Sequence, residues 1–136
     1  MAIRLMLADP HASYRHAVRE MLERESDLEV AGEVSDGDEA VRVEPTLRPD
    51  LVIVDVAIAR VDGIEATRQI VARRPDARVL ALSLHSDPQF VDAMLRAGAR
   101  GYVLKDDPFS YLLHAIHDIV AGGTFVSPSV APSAGR

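Results

Sequence analysis

Four short apolar runs in this 136-residue chain each lead into a polar residue, and helical patterns separate them. Ile3–Ala8 leads into Asp9, Leu51–Val54 into Asp55, Val79–Leu82 into Ser83, and Tyr102–Leu104 into Lys105. Short apolar runs alternating with helical stretches predict parallel strands with crossover helices. In an open parallel sheet, ligands bind beyond the carboxyl ends of the strands. Two carboxylates, a hydroxyl and an ammonium are therefore expected to converge on one small site, a set suited to a cation and a phosphoryl group. Pro10, directly after Asp9, offers no further polar side chain to it.

The rest of the chain completes five strand–helix units. After the first strand, Tyr14, Val18, Met21 and Leu22 fall on one helical face. Leu28–Val34 reads as a second, more polar strand near an edge. Ser35 followed by Asp38 has the form of a capping box, and Pro45 is expected to cut the second helix short, because proline lacks the N–H and clashes with the preceding turn. Leu51–Val54, continuous and β-branched, reads as central. Gly63 precedes a third helix closed by Pro75. Asp87-Pro88 is an N-cap with proline at the first helical position, and that helix stops at Gly98. Pro108 opens the last helix, with Leu112, Leu113, Ile116, Ile119 and Val120 inward, and Gly122-Gly123 ends it. Residues 127–136 are small and proline-rich and read as a linker or tail. The expected architecture is a flavodoxin-like, doubly wound α/β sandwich of five parallel strands in the order 2-1-3-4-5. Its crevice lies between strands 1 and 3, which carry Asp9 and Asp55.

Composition narrows the functional classes. A chain of this length holds one domain, and 48% hydrophobic with 26% charged residues is ordinary for a globular fold. No apolar run approaches the roughly 18–20 residues of a membrane span, and the N-terminus lacks a signal-peptide layout, so a cytoplasmic location is expected. With no cysteine, disulfides and thiolate metal sites are excluded. A net charge of −6 and 4% aromatic residues argue against nucleic-acid binding by this segment itself.

Several segments in order resemble the receiver domains of two-component response regulators, and more narrowly the NarL/FixJ group, whose receivers precede a LuxR-type helix-turn-helix. They are Ile3-Arg4-Leu5 through Ala8-Asp9-Pro10-His11, Val30-Ala31-Gly32-Glu33, Arg48-Pro49-Asp50-Leu51-Val52, Asp62-Gly63-Ile64-Glu65-Ala66, Pro75-Asp76-Ala77-Arg78-Val79 and Ala97-Gly98-Ala99-Arg100-Gly101-Tyr102-Val103-Leu104-Lys105. The resemblance implies that Asp55 is the phosphoacceptor, and that Asp9, Asp55 and the backbone carbonyl of Ala57 hold Mg²⁺. It further implies that Ser83 and Lys105 bind the phosphoryl group and that Tyr102 follows the state of Ser83. A sensor histidine kinase as partner, a homodimer, and DNA binding only through a domain outside this chain are implied as well. On this view residues 1–126 are the receiver and 127–136 lead to a C-terminal helix-turn-helix.

Three departures qualify the match. The family usually has a second acidic residue, a metal ligand, where this chain has Pro10. Two unit charges ~4 Å apart interact by roughly 4 kcal/mol at an effective dielectric near 20, so weaker Mg²⁺ binding is expected. His11 does not replace the missing carboxylate. After Asp55 the usual Met-Pro-Gly is replaced by Ile58-Ala59-Arg60, which removes a rigid turn and adds a cation. Pro45 is the third departure.

Each residue also has a plainer role when taken alone. Asp9 alone would cap a helix, Ser83 would be a satisfied hydroxyl, Lys105 a solvated loop residue and Tyr102 a packing residue; their joint placement at strand ends favours the site. His85 is placed at the rim with no catalytic duty. His114 and His117 lie at i, i+3 and read as a solvated helix face rather than a zinc site. The mixed charges of the first helix read as solvated surface, and no phosphate-cradling glycine pattern is present. A phosphorylatable switch for a transcriptional output is therefore the leading expectation, ahead of a pseudo-receiver that docks or dimerises without phosphorylation. An enzyme on the same fold ranks last, since no nucleophile elbow or nucleotide fingerprint occurs and catalysis would extend only to the domain's own phosphorylation.

Overall fold

The computed structural model describes residues 2–57 and 62–130, so the Ile58-Ala59-Arg60 departure and residues 131–136 of the expected tail lie outside the described residues. Within them the order is β1 (Ile3–Ala8), α1 (Ala12–Glu23), β2 (Leu28–Val34), α2 (Gly37–Leu47), β3 (Leu51–Val54), α3 (Gly63–Arg73), β4 (Val79–Ser83), α4 (Pro88–Ala97), β5 (Gly101–Leu104), α5 (Phe109–Val120) and β6 (Phe125–Val126). The strands form one sheet in the order β2-β1-β3-β4-β5-β6, every pairing parallel. The expected 2-1-3-4-5 order is present, extended by a two-residue edge strand that apolar periodicity does not reveal.

Side chains alternate across a strand, and β1 shows how this divides the core. Leu5 and Leu7 join an apolar cluster with Val18 and Leu22 of α1 and Leu112, Ile116 and Ile119 of α5. Met6 and Ala8 face the opposite cluster, with Val41 of α2, Ile70 of α3, and Val91 and Met94 of α4. The sheet is thus covered on both faces, which parallel pairing requires. Full burial of each Leu or Ile contributes on the order of 1.5–3 kcal/mol. Val130 is 4% exposed and belongs to the second cluster, while the N–H of Ser127 donates to the Tyr102 carbonyl at 2.9 Å. The chain therefore stays packed on the domain as far as Val130.

The second helix departs from expectation at both ends. Its N-cap is Asp36, not Ser35: Asp36 Oδ1 accepts from the Glu39 N–H at 2.7 Å. Glu39 Oε1 reaches back to accept the Ser35 N–H at 3.1 Å. The reciprocal logic of a capping box holds, but with Asp36 and Glu39 as the acceptors. Nor does Pro45 end the helix, which runs on to Leu47. Proline withholds the N–H that would bond Val41 O, and here the Arg73 guanidinium of α3 donates to that oxygen at 3.2 Å. Next along, Arg74 pairs with the carboxylate of Glu44, which is 1% exposed. The lost helical bond is thus replaced from a neighbouring helix, a compensation that propensity alone does not contain.

Other ends follow their local chemistry. Asp62 caps α3, accepting from the Glu65 N–H at 2.8 Å. Asp87 occupies the N-cap of α4 without a side-chain capping bond, so Pro88 alone marks that start as expected. Gly98 closes α4 at φ 118°, where an L side chain is strained and a Cβ would approach Val71 to 2.9 Å.

If Arg73 replaces the missing proline N–H, Arg73→Ala destabilises the domain by about 1 kcal/mol. Combined with Pro45→Ala, which restores an N–H to Val41 O, it costs measurably less. A double-mutant cycle in urea denaturation checks this; an equal cost in both backgrounds would show that the Arg73 bond is incidental.

Candidate functional site

Strand register builds the site. Ala8 pairs with Val54, so Asp9 and Asp55 leave adjacent strands side by side, and the Asp55 N–H donates to Ala8 O at 2.9 Å. Ser83 pairs with Leu104, and the Lys105 N–H donates to Ser83 O at 2.8 Å. All four residues singled out at strand ends thus stand at one edge of the sheet. Asp9, Asp55 and Ser83 are buried, at 6%, 4% and 0% exposure.

Lys105 bridges the two carboxylates. Its Nζ lies 2.7 Å from Asp9 Oδ2 and 2.9 Å from Asp55 Oδ2. Two like charges sharing a buried site repel, and the ammonium answers both with charge-assisted hydrogen bonds. The face of Tyr14 completes its surroundings, with Nζ 4.4 Å from the ring centroid. Burial first, and then the charges of Asp9, Asp55 and Asp106, raise the Tyr14 phenol well above the ordinary tyrosine value. It stays neutral beside the acidic pair.

The other two carboxylate oxygens also have donors. Ala57 N–H donates to Asp55 Oδ1 at 3.0 Å. The His11 N–H donates to Asp9 Oδ1 at 2.8 Å, closing an Asx-turn with Pro10 at its corner. Pro10 therefore supplies the fixed φ of that turn even though it supplies no carboxylate. His11 Nδ1 lies 3.2 Å from Asp9 Oδ1 and 3.9 Å from Asp55 Oδ2, so its ring enters the cluster that the sequence reading left it out of. Tyr14 is the other omission: read only as an apolar position of α1, it turns its ring to Lys105. The signal available for both was their place in the first turn after Asp9.

Ser83 and Tyr102 are joined through one backbone. The His85 N–H donates to Ser83 Oγ at 3.0 Å, and Tyr102 Oη donates to the His85 carbonyl at 2.6 Å. Burial raises the Tyr102 hydroxyl above its ordinary value. His85 stands at the rim as expected, its ring 4.7 Å from that of Phe90, and its main chain connects the two site residues.

The donor set meets the minimum for Mg²⁺, which takes oxygen ligands, keeps several waters and is held through one or two carboxylates. Asp9 and Asp55 offer two carboxylates, the number such a site needs. Lys105 competes with any cation for the Oδ2 atoms of both.

The fold and this constellation define a receiver, and the chain belongs to the response regulator receiver domain family, whose pattern it matches over residues 5–117. Among its relatives it is 35% identical to the transcriptional regulatory protein DegU of Brevibacillus brevis over 94% of this chain and 54% of that protein. It is 36% identical to LiaR of Bacillus subtilis over 95% of this chain and 61% of that one. A two-component response regulator of the LuxR family from Aurantimonas sp. SI85-9A1 superimposes with a TM-score of 0.94 at 35% identity, over 99% of this chain and 96% of that one. The chain is a receiver domain of the two-component response regulator type, with LuxR-family regulators among its relatives. It spans about half to three-fifths of the length of the two curated relatives it is compared with.

Gly63 holds Asp55 and Val56 close to the start of α3. Its N–H donates to Val56 O at 3.0 Å, and a Cβ there would lie 2.3 Å from Asp55 O. Because that neighbour is backbone, Gly63→Ala must displace the Asp55 main chain. Overpacking of this kind costs about 1–3 kcal/mol. Thermal unfolding of Gly63→Ala is expected to show that loss; an unchanged midpoint would mean that the Asp55–Val56 main chain shifts without cost.

Proposed function

We propose that Asp55 accepts a phosphoryl group and thereby switches an output carried elsewhere in the natural protein, a DNA-binding transcriptional regulator. The observation that carries this is the buried Asp9–Lys105–Asp55 bridge, which pairs one acceptor carboxylate with an ammonium placed for a phosphoryl oxygen. An Asp55 oxygen attacks the phosphorus of a phosphohistidine on a sensor histidine kinase. A P–O bond forms, the P–N bond breaks, and the imidazole leaves with its electron pair to be protonated from solvent. Mg²⁺, held by Asp9, Asp55 and the Ala57 carbonyl, would supply positive charge against the transferring group. Lys105 turns from Asp55 Oδ2 to the new phosphoryl oxygens, to which it binds as a compact point charge. Ser83 donates its hydroxyl to the same group. Because a hydroxyl donates and accepts at once, Oγ draws the His85 N–H with it, and the shift reaches Tyr102 through the His85 carbonyl. Added charge thus becomes a movement of the β4–α4 segment and β5.

The assignments of Asp55, Asp9, Ala57, Ser83, Lys105 and Tyr102 belong to this reading. So do a cytoplasmic location, a homodimer, and a receiver of residues 1–126 with a connecting segment at 127–136, whose first residues still pack on the domain as far as Val130. In the described residues no helix is long and apolar enough to cross a membrane.

A second reading has one observation in its favour. Every carboxylate oxygen of Asp9 and Asp55 already accepts from a protein donor, and Pro10 adds none, so the site is stable without a metal or phosphoryl group. A phosphorylation-independent docking module would look the same. Intact mass after incubation with acetyl phosphate and Mg²⁺ separates the two. A gain of one phosphoryl group, absent in Asp55→Asn, is expected; no gain at saturating donor and metal would overturn the switch and support the docking module.

Pro10→Asp tests the metal side. A carboxylate restored there should tighten Mg²⁺ by about tenfold, since even a third of the roughly 4 kcal/mol between charges ~4 Å apart suffices. Calorimetric titration reads it, and equal affinity in both proteins would remove Pro10 as the defect.

A further inference from the structure

We infer that residues 125–130 form a strap latched onto Tyr102, which seats more firmly when the Asp55 site is filled and so passes the state of that site to the chain that follows. This rests on the reading of Asp55 as phosphoacceptor and names the element that its regulation moves. Each attachment of the strap falls on Tyr102 or its neighbours. β6 pairs in parallel with β5, which places Val126 beside Tyr102. The Phe125 N–H donates to Arg100 O at 3.1 Å, and the Ser127 N–H to Tyr102 O at 2.9 Å. Beyond β6 the chain turns tightly: Ser127 Oγ accepts the Ser129 N–H at 3.0 Å, and the Val130 N–H donates to Ser127 O at 3.1 Å. The turn returns Val130 to the apolar cluster that holds Tyr102, Val91 and Met94. Ser127 is itself 2% exposed. A segment whose composition reads as a loose linker is thus buried at both of these positions.

The seat is shaped for the strap. A Cβ on Gly101 would stand 2.6 Å from Phe125 O and 2.8 Å from Ile119 Cδ1. The missing side chain lets β6 lie close against β5.

Tyr102 connects the strap to the site. Its hydroxyl donates to the His85 carbonyl, the His85 N–H holds Ser83 Oγ, and its own carbonyl holds Ser127. Its fully buried ring shares an apolar cluster with Val130. A ring that swung out of that cluster would leave a void there, which a close-packed interior resists. A phosphoryl oxygen adds a bond at Ser83 that an empty site lacks. The His85 main chain is then held more firmly, and with it the Tyr102 hydroxyl and ring. Opening of the strap is therefore a two-state equilibrium that the Asp55 site biases toward the seated form.

Hydrogen exchange on the full 136-residue chain tests this, because the Ser127 and Val130 amides reach solvent when the strap opens. Beryllofluoride with Mg²⁺ stands in for the phosphoryl group, and the fluorine NMR signal of the bound form scores occupancy of the site. Filling the site is expected to slow exchange of both amides by about fivefold or more. Tyr102→Phe keeps the ring and removes the hydroxyl, and should abolish that slowing. Linkage is reciprocal, so Val130→Asp, which puts a carboxylate in the apolar seat and lifts the strap, should weaken beryllofluoride binding by about the same factor. Circular dichroism checks that both variants fold; if Val130→Asp does not, exchange in the wild type and Tyr102→Phe decides. Unchanged exchange with fluoride bound, slowing that persists in Tyr102→Phe, or equal beryllofluoride affinity in folded Val130→Asp would each overturn the strap and leave the switch standing. No bound fluoride at saturating beryllofluoride and Mg²⁺ would instead overturn the phosphoacceptor reading and the coupling with it.

Discussion

The Lys105 ammonium between Asp9 and Asp55 is the interaction on which the rest of the site depends. Two carboxylates at 6% and 4% exposure stand at the ends of adjacent strands. Their proximity is not adjustable, because it follows from the pairing of Ala8 with Val54. Burial and mutual repulsion both oppose two charges there, and a single buried cation in contact with both is the simplest answer. Lys105 can give that answer because β5 pairs with β4, which brings the end of β5 back toward the β1–β3 crevice. The bridge is thus a consequence of sheet order. It is also poised, since a lysine shared between two partners can be drawn away by a third anion.

Much of this was legible in the chain itself. The polar residue after each apolar run marks the carboxyl end of a strand, and crossover topology brings those ends to one edge. Asp9, Asp55, Ser83 and Lys105 needed no more than that. Their partners were less visible. Tyr14 sits in the first turn of α1 and His11 at its N-cap, where orientation depends on how the chain leaves β1, and that depends on the Asx-turn through Pro10. The His85 backbone link between Ser83 and Tyr102 carries no sequence signal, because any residue could supply its N–H and carbonyl. β6, two residues long, lacks the length that makes alternation detectable.

Pro45 shows the same limit from another side. Local rules correctly identify a missing donor and a crowded turn. They do not contain Arg73, 28 positions further along the chain, whose guanidinium supplies the hydrogen bond to Val41 O. The outcome depends on a neighbour that only the packed fold provides, which is the general form of tertiary override. The shift of the N-cap from Ser35 to Asp36 is milder: both are good caps, and a one-residue difference in where β2 ends decides between them.

Pro10 draws these strands together. Judged by charge, it is a loss: the pocket has one carboxylate fewer than its family usually brings, and so less negative charge to set against a hard cation. Judged by geometry, it is a constraint, fixing the corner of a turn in which Asp9 holds His11 by its backbone and leaves the imidazole beside both carboxylates. A site that keeps the Asp9–Lys105–Asp55 bridge while lacking a further carboxylate beside it still holds its buried charges in register. The physical distinction between a receiver that has lost its switch and one that keeps it therefore lies in whether the Lys105 ammonium leaves Asp55 for a phosphoryl oxygen.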